Sequence, residues 1–331
     1  MLSPSTPVGA FTNVTIAAIN AALVQAGLAG TTGNVFYCDP VNGLDTNDGQ
    51  TPSTTPGGHG PVQTLGAGYA FLRSGFNDVL ILLSNGASTG SARIHATFTW
   101  SKNAAHLIGV CAPTPISQRA RIANGTADVA FANFFVISGN ACLFSNVSWF
   151  QGFAAGVAAE ILITLTGVRN AFLNCDFEGM GDTTGATDAG SRCLLIKAAD
   201  ENYFNHCNFG VDTVQRTNAN ALVEISNGTA RTIFENCTFL FWSSDGLQYA
   251  LLANAAASMD RFVLFKGCNF IAGVGTIIAA IFHIVAGAGG IVCFDATSGV
   301  FNVTALGDAT SQTQTWASGG TATSGVKGIV Q

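Results

Sequence analysis

Charge is scarce in this sequence. Asp, Glu, Lys and Arg together make up only 10% of 331 residues, against roughly a quarter in an ordinary soluble domain. So few ionised side chains imply that part of the surface is covered by neighbouring subunits. The 13 Lys and Arg are scattered, Arg119 and Arg121 being the only close pair, and the net charge is −6. That pattern leaves no basic footprint for a phosphate backbone, so no nucleic-acid partner is expected. No Cys-x-x-Cys occurs, and the nine cysteines are odd in number, which argues against a disulfide framework and a metal site. Met1 to Gly9 lacks the positive segment of a secretory signal, so no export is expected. Residues 271–294 carry no formal charge, as a membrane span would. They contain Gly273, Gly275, Gly287, Gly289 and Gly290 and fall into the register of a repeat, so no membrane partner is expected either.

What is abundant is glycine, 39 residues, and a self-similar motif, Phe-x-x-Cys-x-Phe. It occurs as Phe172, Cys175, Phe177; Phe204, Cys207, Phe209; Phe234, Cys237, Phe239; and Phe265, Cys268, Phe270, with a degenerate copy at Phe144, Val147, Trp149. The period of about thirty residues is that of a solenoid. Nine residues before each first Phe stand Phe135, Ile163, Leu195, Ile225 and Ala256, most of them in short β-rich runs. Gly, Asn and Thr interrupt every run before a helical stripe can develop, which excludes helical repeats.

A spacing of three between Phe and Cys is incompatible with one continuous strand, whereas Cys and the second Phe, two apart, share a face. A corner must intervene. Asn146, Asn174, His206, Asn236 and Gly267 occupy it, and Asn and Gly tolerate left-handed backbone. Stacked coils also bring equivalent charges together. Arg169, Glu201 and Arg231 form one alternating column, and Glu235 and Lys266 another, which fixes the expected register. The expected fold is therefore all-β, a right-handed parallel β-helix, its thiols reduced and stacked in the core.

Phe36 to Gly49, followed by Thr64, Leu65 and Ala67, resembles the opening of β-helix proteins of the pectate-lyase-like class, in which an Asp- and Gly-rich loop leads to a capping helix. The resemblance places that helix at Gly66 to Arg73. Asp39, Asp45 and Asp48 match no EF-hand spacing, and Asx turns account for them. The stretches from His106 to Ile122 and from Gly210 to Ala221 resemble a family of phage-encoded β-helix proteins. That resemblance covers residues 36–270 and implies a virion structural protein of head decoration or cement type. Three regions are expected: an N-terminal arm with a short helix (1–33), the parallel β-helix (34–302) and an extended C-terminal tail (303–331).

A glycan depolymerase would need two carboxylates about 5 to 9.5 Å apart on an exposed face. Asp176 and Glu178 are the candidates, two apart on the outward side of one strand. The next coils offer Asn208 and Gly210, then Thr238 and Leu240, with no further acids or stacking aromatics, so ordinary surface or interface carboxylates are the preferred reading. His206 beside Cys207 belongs to the corner column, and His59, His95, His106 and His283 show no metal-ligand spacing. No catalytic, cofactor-binding or metal residue is assigned, and no cofactor is expected. Trp149, Phe150 and Phe153, with Leu240, Phe241 and Trp242, read as outward apolar bulk, some of it completing loop packing and the remainder forming an oligomer face. The resulting expectation is a non-enzymatic protein on the virion head surface, made in the host cytoplasm. Its partners would be itself, as a homotrimer, and the major capsid protein of a tailed phage. The alternative is a tailspike-like protein that binds or depolymerises glycans.

Overall fold

The computed structural model describes residues 33–111, 116, 120–129 and 131–307, with the backbone of 314–315 and 325–328. The expected helix at Thr15 to Leu28 lies outside the described residues. The rest is a parallel β-solenoid of three sheets, matching a right-handed parallel β-helix. Sheet I begins at Val35–Cys38 and includes Leu143–Ser145, Ala171–Leu173, Tyr203–Asn205, Thr229–Glu235, Met259–Lys266 and Ile291–Phe294. Sheet II includes Ser148–Phe150, Asp176–Glu178, Asn208–Phe209, Thr238–Ser243 and Asn269–Gly275. Sheet III includes Asn133–Ile137, Ile161–Leu165, Arg192–Lys197, Ala221–Ser226, Tyr249–Ala253 and Ile278–Ile284. Each coil passes from sheet I through a one-residue corner to sheet II, then through a loop of variable length to sheet III and back.

The motif sits across the first corner. Phe144, Phe172, Phe204, Phe234 and Phe265 pair along sheet I, and Trp149, Phe177, Phe209, Phe239 and Phe270 along sheet II. Ring centroids of successive Phe within a column are 4.5–5.0 Å apart and nearly parallel. Rings of the two columns meet edge to face, as Phe209 and Phe234 do at 5.6 Å. Each such contact adds about 0.5–1.5 kcal/mol beyond area burial. Between the columns run Cys175, Cys207, Cys237 and Cys268, all fully buried. Each thiol lies within donating distance of the carbonyl of the Phe one coil back, at 3.3–3.5 Å. All nine cysteines are free thiols.

Left-handed backbone turns the corner where expected, with φ of 59°, 56°, 51°, 53° and 62° at Asn146, Asn174, His206, Asn236 and Gly267. A second left-handed column, not foreseen, stands three residues before the inward Phe of sheet I, at Ala141, Arg169, Glu201 and Arg231, with φ of 53–60°. These residues gain no relief from their side chains. What holds them is their amide, which donates into the next coil: Arg169 N to Asp200 O at 2.9 Å, Glu201 N to Ala230 O at 2.9 Å. Their side chains form the anticipated ladder, Glu201 bridging Arg169 and Arg231 at 2.7 Å each.

Several expectations need correction. The inward column of sheet III is Phe135, Ile163, Leu194, Val223, Leu251 and Phe282. Leu195 and Ile225 are therefore out of step, and Ala256 lies in an exposed turn, because turns of unequal length separate sheet III from sheet I. Trp149 faces inward and is fully buried, and Phe153, Leu240 and Phe241 are buried too, so of the expected apolar face only Phe150 and Trp242 remain, both half-buried. Exposed bulk among the described residues lies elsewhere, including Val274, Ile277 and Phe301.

The capping helix α1, Leu65–Phe71, starts at Thr64, whose Oγ1 accepts the Ala67 amide at 3.2 Å. Phe71 stacks on Phe36 at 5.2 Å, closing the first coil. Residues 271–294 are three short strands rather than one span, and no helix among the described residues is long and apolar enough to cross a membrane. Beyond residue 302, Val303–Gly307 joins sheet III, while Gly325–Gly328 and Gln314–Thr315 extend sheet I.

Candidate functional site

Asp176 and Glu178 point away from the prism, as alternation requires, but they are only 1% and 8% exposed. Asp176 accepts the Asn208 amide at 2.8 Å. The reading of a solvent-facing pair is thus corrected: strand alternation says which way a side chain points, not what covers it. The loops between sheets II and III enclose this face, and they hold a short helix α2, Thr183–Thr187, capped by Asp182. Glu160 is fully buried among them. One of its oxygens accepts the Val157 amide at 2.9 Å and the other has no hydrogen-bond partner. Burial, with the negative charges of Asp182 and Asp188 nearby, pushes its carboxyl up to about 8.

Asp39, Asp45 and Asp48 spend their oxygens on local donors. Asp39 caps Val41 and Asn42, Asp45 accepts Gln63 and Thr64, and Asp48 accepts Gln50 and holds His59. Among the described residues no group of three or more His, Cys, Asp or Glu is arranged to hold a metal ion. His206 stands in its corner with Nδ1 against Asn205 Oδ1.

The open face of sheet I is different. Across three successive coils it forms a groove of about 480 Å³, lined by Glu201, Tyr203, Arg231, Ile233, Glu235, Phe262, Leu264 and Lys266, with Asn202 at one side. Local sequence builds it simply. Tyr203, Ile233 and Leu264 each stand one residue before an inward Phe, so they point outward, and strand pairing stacks them. They make an apolar floor. Charges flank it, because Glu235 lies one residue beyond an inward Phe and Glu201 and Arg231 occupy the left-handed column. Tyr203 Oη donates to Glu235 at 2.7 Å, and Lys266 Nζ donates to the other oxygen at 2.7 Å.

Those two bonds, Lys266 first, hold the Glu235 carboxyl below its usual range. The same arrangement raises Tyr203: burial first, then the neighbouring carboxylate, push its phenol up to about 12. At neutral pH the groove therefore holds an ionised Glu235 beside a protonated phenol. Such a surface offers a flat apolar patch, a proton donor and fixed acceptors, which suits a ligand with one apolar and many hydroxylated edges. Sequence reasoning identified the charges of this groove, but only as markers of register. The signal for the floor was readable, since bulky side chains recur at the outward position before the first Phe in three consecutive repeats.

No protein-family model matches the chain, and no curated protein matches it. Solved structures do. A pectin methylesterase in complex with a hexasaccharide is 13% identical, with 84% of this chain and 80% of that one covered at a TM-score of 0.50. The pectin methylesterase from Aspergillus niger is 14% identical, with 83% and 85% covered at 0.52. ORF18 of Geobacillus virus E2 is 12% identical, with 74% and 56% covered at 0.40. These likenesses are of fold. Against the expectation of a non-enzymatic protein stand the two pectin methylesterases, which are enzymes built on this architecture.

Proposed function

We propose that this chain is a glycan-binding or glycan-depolymerising protein of a tailed-phage virion, its site the groove on sheet I. The observation that carries the reading is the apolar floor of Tyr203, Ile233 and Leu264 set between paired carboxylates and cations. Sugar rings present an apolar face and hydroxyl edges, and such a floor with flanking hydrogen-bond groups meets both. The hexasaccharide named with one structural neighbour belongs to that protein and adds only that the fold accommodates such ligands.

The test is calorimetric titration with a panel of oligosaccharides, coupled to an assay for released reducing ends. Binding by the intact protein, weakened at least tenfold by Leu264→Asp with the fold retained by circular dichroism, is the expected result. No binding across the panel rejects the reading. Labelling of purified particles tests the location: a signal at the tail tip agrees with it, whereas labelling over the whole head supports a decoration protein bound to the major capsid protein instead. A homotrimer remains part of the proposal, and light scattering that gives a monomer mass removes it.

A further inference from the structure

The outward face of sheet I changes character along the solenoid. On the first three coils its outward positions are Val35 and Tyr37, Val79 and Ile81, and His106 and Ile108, stacked by strand pairing. Leu143, one residue before the inward Phe144, continues the stripe into the fourth coil. Tyr203, Ile233 and Leu264 hold the same position in the groove and are half-buried. Tyr37, Val79, Ile81 and Leu143, by contrast, are only 1–7% exposed within a single chain. Burial also pushes the His106 imidazole down to about 4. Tyr37, Val79 and Ile81 form a cluster apart from the interior core, and the half-buried apolar residues packed on it, Val35, Leu83 and Ile108, belong to the same face of the same sheet. Side chains standing next to one another on an open sheet face do not bury one another so fully. Such a face needs a cover.

We propose that the cover is residues 15–28 of the same chain, laid as a strap over the first four coils of sheet I. The chain before Gly33 leaves from the rim of this face. Gly33 runs so close to the start of the second strand that a Cβ there would meet the Asn77 carbonyl carbon at 2.4 Å, and Asn34 donates its amide to Asp78 at 2.7 Å. Residues 29–32 can reach about 13 Å, enough to double back onto the sheet. The strap and its seat match in chemistry. Residues 15–28 carry no formal charge and place Ile16, Ile19, Leu23 and Ala26 at helical spacing, which makes one apolar stripe. None of the outward positions named on the first four coils is Asp, Glu, Lys or Arg, and the ion-pair ladder begins only at Arg169 in the fifth coil. Length agrees too. As a helix, residues 15–28 span about 21 Å, against about 14 Å from the first rung to the fourth. The strap thus ends short of the groove and leaves it open.

The experiment places a photo-reactive benzoylphenylalanine in the full chain in place of Ile108, in a mixture of isotopically light and heavy copies. After irradiation and digestion, linked peptides are identified by mass spectrometry. Links from position 108 to residues 15–28 within one copy are the expected result. Val110, exposed at the rim of the same face, is the second position should the Ile108 variant not fold. The same group in place of Ile233 should give the link at least tenfold less often, and an equal yield there overturns the extent assigned to the strap. Leu23→Asp, with circular dichroism unchanged, should lower the yield at position 108 at least fivefold; an unchanged yield overturns the apolar contact. Links mainly between light and heavy copies put the segment of a second copy on this face and overturn the assignment, as do links to no residue before Gly33.

Discussion

Phe204 lies flat between Phe172 and Phe234, at 4.7 and 4.8 Å, and meets Phe177 and Phe209 edge-on at 5.8 Å each. Truncating such a side chain opens a cavity that a ladder of rings cannot collapse into. Phe204→Ala is therefore expected to cost about 3–5 kcal/mol, read from the midpoint of urea unfolding. Glu160 makes an opposite kind of residue-scale statement. Its carboxyl is raised in the folded state to about 8, against an ordinary value of 4.5, so the folded protein holds a proton that the unfolded chain has lost. Stability contributed this way is complete below pH 4.5 and declines as pH rises toward 8, by at most about 1.4 kcal/mol per unit. Glu160→Gln stays neutral, keeps an acceptor for the Val157 amide and should flatten that decline. An unchanged slope between pH 5 and 8 would show that Glu160 is not the group responsible. The ring column was legible in the sequence because it repeats. Glu160 was not, because its environment is assembled from loops whose packing leaves no periodic trace.

The corners are the elements that make a coil. At Asn236 the backbone holds φ at 53°, which costs an ordinary side chain about 1–2 kcal/mol. Asn236→Ala should lower stability by about that amount, while Asn236→Gly should be nearly neutral, both measured by thermal melting. Equal losses in the two variants would mean that the Asn side chain, rather than the turn, matters there. This corner could be read from sequence, since Asn and Gly advertise left-handed backbone. The other corner could not. Arg169, Glu201 and Arg231 have no such preference, and at Arg169 and Glu201 it is the amide donated to the following coil that holds the turn. A residue's partners across a stacking interface do not show in its own propensity. The groove follows the same division: its charges were visible as alternating columns and its floor as recurring bulk, whereas its openness rests on the finding that none of the described residues covers sheet I there.

At the scale of the whole molecule, seven of the nine thiols are buried, Cys111 and Cys293 being only partly so. An aromatic-disulfide reagent should therefore titrate at most those two in the native protein and all nine after unfolding. Rapid reaction of more than two would contradict the stacked thiol column. Two structural neighbours with pectin methylesterase names share this architecture at 13–14% identity, which a single core explains: a solenoid asks only for the same inward pattern in each coil. That pattern is local and periodic, so the sequence alone determined the coil length, the ring and thiol columns, the Asn corner and the charge register. Exposure is decided otherwise, by which loops fold over which sheet. Hence tertiary structure alone decided that Asp176 and Glu178 are enclosed, that Trp149 is core, and that the open site lies on sheet I.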